Sequence, residues 1–378
     1  MHRLRFLRND VPGYGDHSGK GVTALAERVL MKGNEALAEA AIQAGCRHFF
    51  GYPITPQTEL AAYMAKKMPK IGGTYLQAES EVAAINMVLG AASAGVRAMT
   101  SSSSPGISLK GEGISYMAGS DLPCLIINVQ RGGPGLGGIQ PSQADYWQAT
   151  KATGHGDFQI LVFAPSTVQE MVDLVADAFD MADHYRMPAM ILADGMLGQM
   201  MEPVTIRGNQ ADKLPEKPWA ANGHQGKRKH NVINSLYLQP QDLERLVRER
   251  FQRYEEIKQK HQRAEEYLVE DAELVLVAYG ASSRVAKSAV NMARAQGIKA
   301  GLIRPITLWP FPVNALQNAA KTAGQFLCVE MSMGQMIDDV KLAIECKKPV
   351  SLYSRTGGMI PTPGEILAEI QRLTGGER

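Results

Sequence analysis

Short apolar runs alternate with longer amphipathic stretches from Val29 to about Ala193. The runs at residues 47–50, 74–77, 97–100, 123–129, 160–164 and 188–193 have strand length. One of them, Cys124-Leu125-Ile126-Ile127-Asn128-Val129, is almost continuously apolar, as in a strand covered on both faces of a parallel sheet. Between the runs, helical periodicity marks residues 33–44, 57–67, 80–94, 107–118 and 167–184. Gly45 closes the first of these helices, and Pro165-Ser166-Thr167 opens the last. Strands and helices in this order predict a doubly wound α/β domain.

The pattern dissolves into Pro, Gly, Lys and His over residues 202–234. A charged helix follows at 241–268, with Leu243, Leu246, Val247, Tyr254 and Ile257 on one narrow contact face. A second α/β unit then alternates strands at 273–279, 300–304, 325–330 and 349–353 with helices at 284–296, 313–322, 336–344 and 363–373. The expected division is an extension over 1–28, a first domain over 29–201, a linker and charged helix over 202–269, and a second domain over 270–378.

Composition narrows the function. Lys plus Arg number 40 and Asp plus Glu 38, so no overall field points to nucleic acid. No apolar run is long enough for a membrane helix. The basic segment Met1–Arg8 lacks the apolar core of a secretory signal. The four cysteines, Cys46, Cys124, Cys328 and Cys346, form no CxxC pair and fit neither a zinc nor an iron–sulfur spacing. Thiol usage of this kind fits a reducing cytoplasm.

Candidate chemistry gathers between Gly51 and Gly106. Pro53 and Pro56 bracket Ile54 and Thr55 and stiffen the turn that presents the Thr55 hydroxyl. Glu79 and Glu81 open the helix Val82–Ala92, which is apolar and small enough to be buried against a neighbour. A carboxylate at that place gains from the helix dipole. Thr100-Ser101-Ser102-Ser103-Ser104-Pro105-Gly106 leaves a strand end, where open parallel sheets bind ligands. Ser103 and Ser104 either meet a ligand or build the turn. Arg131 ends an apolar strand, at the start of the glycine-rich loop 132–138 that it would anchor. His155, between Gly154 and Gly156, is either an acid–base group or part of a tight loop.

Together, Tyr52-Pro53-Ile54-Thr55-Pro56, Ser80-Glu81-Val82-Ala83-Ala84 and Thr100–Gly106 resemble the pyrimidine-binding subunit of the 2-oxoacid:ferredoxin oxidoreductases. The likeness extends through Met31–Ala36, Val129–Pro134 and Leu308–Pro312, and so over nearly all of the chain after residue 28. It is stronger to the branched-chain (2-oxoisovalerate) type than to the 2-oxoglutarate type.

The resemblance implies a thiamine-diphosphate pyrimidine-binding domain followed by a transketolase C-terminal-type domain. It implies that Glu81 hydrogen-bonds N1′ of the aminopyrimidine, favouring the tautomer that can take the thiazolium C2 proton. Pro53 and Ile54 would also meet the cofactor, while Thr55 and Arg131 would meet the 2-oxoacid. The family's Gly-Asp-Gly metal motif is missing, so this chain would hold one end of the cofactor and no metal. Mg2+, the diphosphate and the [4Fe–4S] clusters would belong to partners. Those are a thiamine-diphosphate-binding beta subunit and a ferredoxin-like subunit, with or without a small gamma subunit. The reaction implied is a 2-oxoacid plus coenzyme A plus oxidised ferredoxin giving acyl-CoA, carbon dioxide and reduced ferredoxin. The rival expectations are a structural subunit without catalytic residues and a self-sufficient thiamine decarboxylase.

Overall fold

The structure, a computed structural model, describes residues 28–151, 153–206 and 214–375. The expected extension over 1–28 lies outside the described residues except for Arg28. The first unit runs β1 (Arg28–Lys32), α1 (Gly33–Gln43), β2 (His48–Gly51), α2 (Thr58–Lys67), β3 (Thr74–Gln77), α3 (Glu81–Ser93) and β4 (Ala98–Ser102). It continues through α4 (Ser104–Gly119), β5 (Cys124–Gln130), α5 (Tyr146–Thr150), β6 (Leu161–Phe163), α6 (Val168–Tyr185), β7 (Pro188–Asp194), α7 (Gly195–Gln199) and β8 (Met201–Thr205). After α8 (Pro240–Lys260) come β9 (Ala264–Tyr267), β10 (Leu274–Val277), α9 (Gly280–Ala295), β11 (Ala300–Pro305), β12 (Thr307–Trp309) and α10 (Val313–Ala319). The described chain ends with β13 (Gln325–Glu330), α11 (Met336–Ala343), β14 (Val350–Ser354) and α12 (Pro363–Thr374).

The first sheet has the order β12-β6-β7-β5-β4-β2-β3. Its strands are parallel except for β12, which runs antiparallel to β6. The chain places β3 on one side of β2 and β4 on the other, so the strand order reverses between β2 and β4. A crevice opens at such a switch, beyond the carboxyl ends of the strands. The loops there are Tyr52–Gln57 and Ser103.

Helix α6 illustrates how the sequence pattern becomes packing. Thr167 accepts a hydrogen bond from the Glu170 amide at 3.1 Å and starts the helix. Val168, Met171, Val172, Val175 and Phe179 then recur three and four residues apart and are buried. Each such side chain contributes roughly 1.5–3 kcal/mol.

The second sheet, β14-β13-β10-β11-β9, is parallel except for the antiparallel edge strand β9. Two features correct the sequence reading. The charged helix stops at Lys260, and residues 264–267 form β9 instead of its last turn. Pairing with β11 and the ion pair of Arg304 with Glu265 at 2.7 Å override local helix propensity. This sheet therefore begins before residue 270. Likewise β8, which pairs with β1, carries the first unit's strand pairing to Thr205.

Strand β12, which the sequence pattern did not reveal, crosses from the second unit to the edge of the first sheet. The two units are further joined by Gln143. Its Nε2 donates to the Tyr279 carbonyl at 2.7 Å, and its Oε1 accepts from Ser282 Oγ at 2.9 Å and the Met331 amide at 3.0 Å.

Candidate active site at the sheet switch point

Asn34, buried at the start of α1, donates to the Pro56 carbonyl at 2.8 Å. Gln57, also buried, accepts from Ser101 Oγ at 2.6 Å and ties the loop after β2 to the end of β4. Arg131 NH1 donates to the Thr55 carbonyl at 3.0 Å. These contacts fix the turn, and Pro53 and Thr55 stay exposed while Ile54 is half-buried.

Glu81 enters from the next element. Ser80 accepts from the Ala83 amide at 3.1 Å and caps α3, so Glu81 occupies its first turn. Its residue is 7% exposed, and its carboxylate has no hydrogen-bond partner among the described residues. Glu79, two residues earlier, is exposed. Gly106 in α4 faces Glu81 so closely that a side chain there would meet both Glu81 and Ser102. The hydroxyls of Ser102 and Ser103 are buried and without partners.

Ser104 has a different place. Its Oγ donates to Asp145 Oδ2 at 2.6 Å and accepts from the Arg131 amide at 3.0 Å. Asn128 donates to the same Asp145 oxygen at 2.9 Å. Burial pushes the Asp145 carboxyl up, and the hydrogen bonds from Ser104 and Asn128 oppose the shift. Arg131 is 7% exposed and spends its NH2 on the Leu136 carbonyl at 3.0 Å, leaving Nε buried and unpartnered. These two bonds use two of the five guanidinium N–H groups, so Nε–H and one further N–H on each terminal nitrogen have no partner among the described residues.

The structure brings Glu81, Thr55, Pro53, Ile54, Ser103, Ser104 and Arg131 to one end of the sheet. It does not bring His155 there. His155 is exposed, and its carbonyl accepts from Ser115 Oγ at 2.6 Å. Ser115 lies eleven residues along α4 from Ser104, about 16 Å at the usual rise.

Helix α3 also departs from expectation. Its inner residues are buried, but Val82 is 46% exposed and Asn86 and Gly90 are exposed. Leu109 on α4 is 54% exposed. Among the described residues, nothing supplies for that face the packed neighbour expected from the small apolar sequence.

Lys110 was not singled out by the sequence reading. It is 0% exposed, and its Nζ donates to the Ser101 carbonyl at 3.4 Å. A lone lysine in the small-residue stretch Ser104–Gly119 was the available signal.

A doubly wound domain with an unpartnered buried carboxylate at its switch point, followed by a second α/β domain, defines the class of protein. Residues 39–276 match the family described as pyruvate flavodoxin/ferredoxin oxidoreductase, thiamine diphosphate-binding, and residues 272–366 match pyruvate:ferredoxin oxidoreductase core domain II. The chain belongs to this family. It is 49% identical to ketoisovalerate oxidoreductase subunit VorB of Methanothermobacter marburgensis, over 92% of this chain and 98% of that one. It is 37% identical to 2-oxoglutarate synthase subunit KorA of Methanothermobacter thermautotrophicus, over 92% of this chain and 100% of that one. Its fold matches a 2-oxoglutarate:ferredoxin oxidoreductase from Magnetococcus marinus solved with 2-oxoglutarate, coenzyme A and succinyl-CoA bound. The TM-score is 0.81 at 27% identity, over 92% of this chain and 65% of that one.

The residues fit the pyrimidine end of thiamine diphosphate. The unpartnered Glu81 carboxylate and the unpartnered Ser102 and Ser103 hydroxyls are the polar groups that a heterocycle with ring nitrogens and an amino group would satisfy. Among the described residues, no group of three His, Cys, Asp or Glu side chains is placed to hold a metal ion.

Proposed function

We propose that this chain is the pyrimidine-binding subunit of a heteromeric 2-oxoacid:ferredoxin oxidoreductase whose substrate is a branched-chain 2-oxoacid, 2-oxoisovalerate in particular. The observation that carries the reading is the Glu81 carboxylate, buried at a helix start in the switch-point crevice with no partner of its own. The preference for a branched substrate follows the higher identity to the ketoisovalerate enzyme's subunit than to the 2-oxoglutarate enzyme's.

When bound, thiamine diphosphate supplies a carbon nucleophile that adds to the 2-oxo group and accepts the electrons released on decarboxylation. Glu81 holds a proton against N1′ of the pyrimidine. Pro53 and Ile54 line the turn beside it, and the Thr55 hydroxyl offers a hydrogen bond to the 2-oxoacid. Arg131 holds the Thr55 turn and the glycine loop together, and its remaining N–H groups, the unpartnered Nε among them, would meet the substrate carboxylate. Ser103 and Ser104 start α4 at the wall of the crevice.

The diphosphate, Mg2+ and [4Fe–4S] clusters sit on partner subunits, and coenzyme A takes the acyl group. The proposed partners are a thiamine-diphosphate-binding beta subunit and a ferredoxin-like subunit, and ferredoxin accepts the electrons. The exposed apolar side chains Val82 and Leu109 suit a partner's surface beside the site. No described helix is long and apolar enough to cross a membrane. The buried free thiols Cys46, Cys124 and Cys328 suit the cytoplasm.

The test is to co-express the chain with its beta and ferredoxin-like partners and to follow coenzyme-A-dependent reduction of a viologen dye. The assay uses 2-oxoisovalerate, 2-oxoglutarate and pyruvate in parallel. The expected result is fastest reduction with 2-oxoisovalerate and a loss of at least ~100-fold in Glu81→Gln. Reduction that is unchanged in Glu81→Gln overturns the role given to Glu81. No reduction with any of the three by a complex loaded with cofactor and clusters overturns the reaction.

A further inference from the structure

Lys110 is a wholly buried amine with very little to hold it. An ammonium has three protons to donate, yet the partner found for this one is a single carbonyl, that of Ser101, at 3.4 Å. Burial pushes the Lys110 ammonium down to about 8, while the charge of Glu81 pulls the other way. Ser101, whose carbonyl accepts this bond, and the Gln57 amide bonded to the Ser101 hydroxyl carry no charge.

Geometry ties Lys110 to the crevice. It lies four residues after Gly106 on α4, so both are on one face of the helix. Gly106 is the residue that abuts the Glu81 carboxyl. Lys110 thus lies one helical turn from the glycine that abuts the Glu81 carboxyl, and no ion pair joins these two buried residues of opposite charge. A methionine of similar length would fill the space without the cost of burying a charge. The ammonium therefore has a use other than packing.

We infer that Lys110 is a positioning residue that acts through Glu81, driving the proton shared between Glu81 and N1′ of the pyrimidine toward the ring nitrogen. This rests on the proposed role of Glu81. A positive charge beside the carboxyl favours its anionic form. The proton leaves the Glu81 carboxyl and arrives on N1′, and Lys110 itself gains and loses none. Without the ammonium the proton stays on Glu81, and the pyrimidine is bound but not activated.

The first measurement needs no cofactor. Lysine carrying 13C at Cε is incorporated into the full-length chain, and the Lys110 resonance is assigned as the one missing from Lys110→Met. It is expected to titrate near 8 and to move lower by at least about one pH unit in Glu81→Gln, as loss of a nearby opposite charge requires. An unchanged titration in Glu81→Gln overturns the inference, and this arm stands even if Lys110→Met does not fold, because assignment can then use Lys110→Gln.

The second measurement uses the assembled complex. Lys110→Met is expected to melt no lower than wild type and to bind thiamine diphosphate within about threefold of wild type. It is expected to exchange the C2 proton of the bound cofactor into D2O at least ~10-fold more slowly, as loss of general acid–base help predicts. Exchange at the wild-type rate overturns the inference, as does a loss of exchange accompanied by an equal loss of binding. Failure of the underlying reading looks different: Glu81→Gln then exchanges and turns over normally.

Discussion

A methyl group placed on Gly106 would stand 2.8 Å from Glu81 Oε1 and 2.1 Å from Ser102 Oγ. Glycine is therefore what lets α4 come close enough to α3 to wall in the carboxylate. Gly106→Ala is expected to keep the fold at a cost of about 1–3 kcal/mol for overpacking. The displaced carboxylate should lower viologen-dye reduction by the assembled complex at least ~10-fold, since misplacement of this size costs that much or more. Thermal melting and the dye assay on one preparation separate the two effects.

Gln143 is the hydrogen-bond joint between the two sheets. Gln143→Leu keeps the volume and leaves the Met331 amide buried without its partner, while the Tyr279 carbonyl keeps Ser282 Oγ at 2.9 Å. The expected loss is about 1–3 kcal/mol, from that one unsatisfied amide. Urea denaturation checks it. A midpoint equal to wild type would show that water replaces the joint.

Arg97 is nearly buried and bonds Asp183 at 2.8 Å, Asp180 at 2.6 Å and the Ala44 carbonyl at 2.6 Å. Asp183 also pairs with Lys217 at 2.5 Å. Arg97→Met strands part of that charge in the interior, for an expected loss of about 3–5 kcal/mol. Asp183 keeps Lys217 as its partner, so Asp183→Asn in the same background should recover none of the loss, because it leaves the nearly buried Lys217 without its carboxylate. Denaturant midpoints of the single and double variants give the comparison.

Asp194 ends β7 and accepts from the amides of Met196 and Leu197 at 2.9 and 3.1 Å. Burial raises its carboxyl to about 6, against the opposing pull of those amides and that of Ala281 in the second unit. Because the folded value lies above the unfolded one, the native state binds more protons between about pH 4 and 6. Stability therefore falls as pH rises through that window, by at most about 1.4 kcal/mol per unit from this group. Asp194→Asn is expected to flatten that part of the profile. Urea midpoints at several pH values, compared between the two proteins, isolate the contribution.

The strand–helix alternation of both units was legible in the sequence, because apolar periodicity records which residues face a core. The place of Glu81 at a helix start was legible for the same local reason, while the Ser80 cap came from the structure. The turn at 51–56 could be read from its two prolines. Local pattern misjudged residues 264–267, where a charged stretch became β9 through pairing with β11 and the Arg304–Glu265 ion pair. It also missed β12, which lies in a sheet built by residues more than a hundred positions earlier.

In the site, the sequence by itself determined which residue types stand at the strand ends. Only the tertiary structure decided what they meet. Packing buried Lys110 one helical turn from the glycine that abuts Glu81, bonded Arg131 to two loop carbonyls, committed Ser104 to Asp145 and left His155 beside Ser115, far along α4 from the site. The physical reason is that a side chain's charge and hydrogen bonds are set by neighbours brought together across the switch point. Those neighbours, such as Glu81 and Lys110, are distant in the chain and share no periodicity.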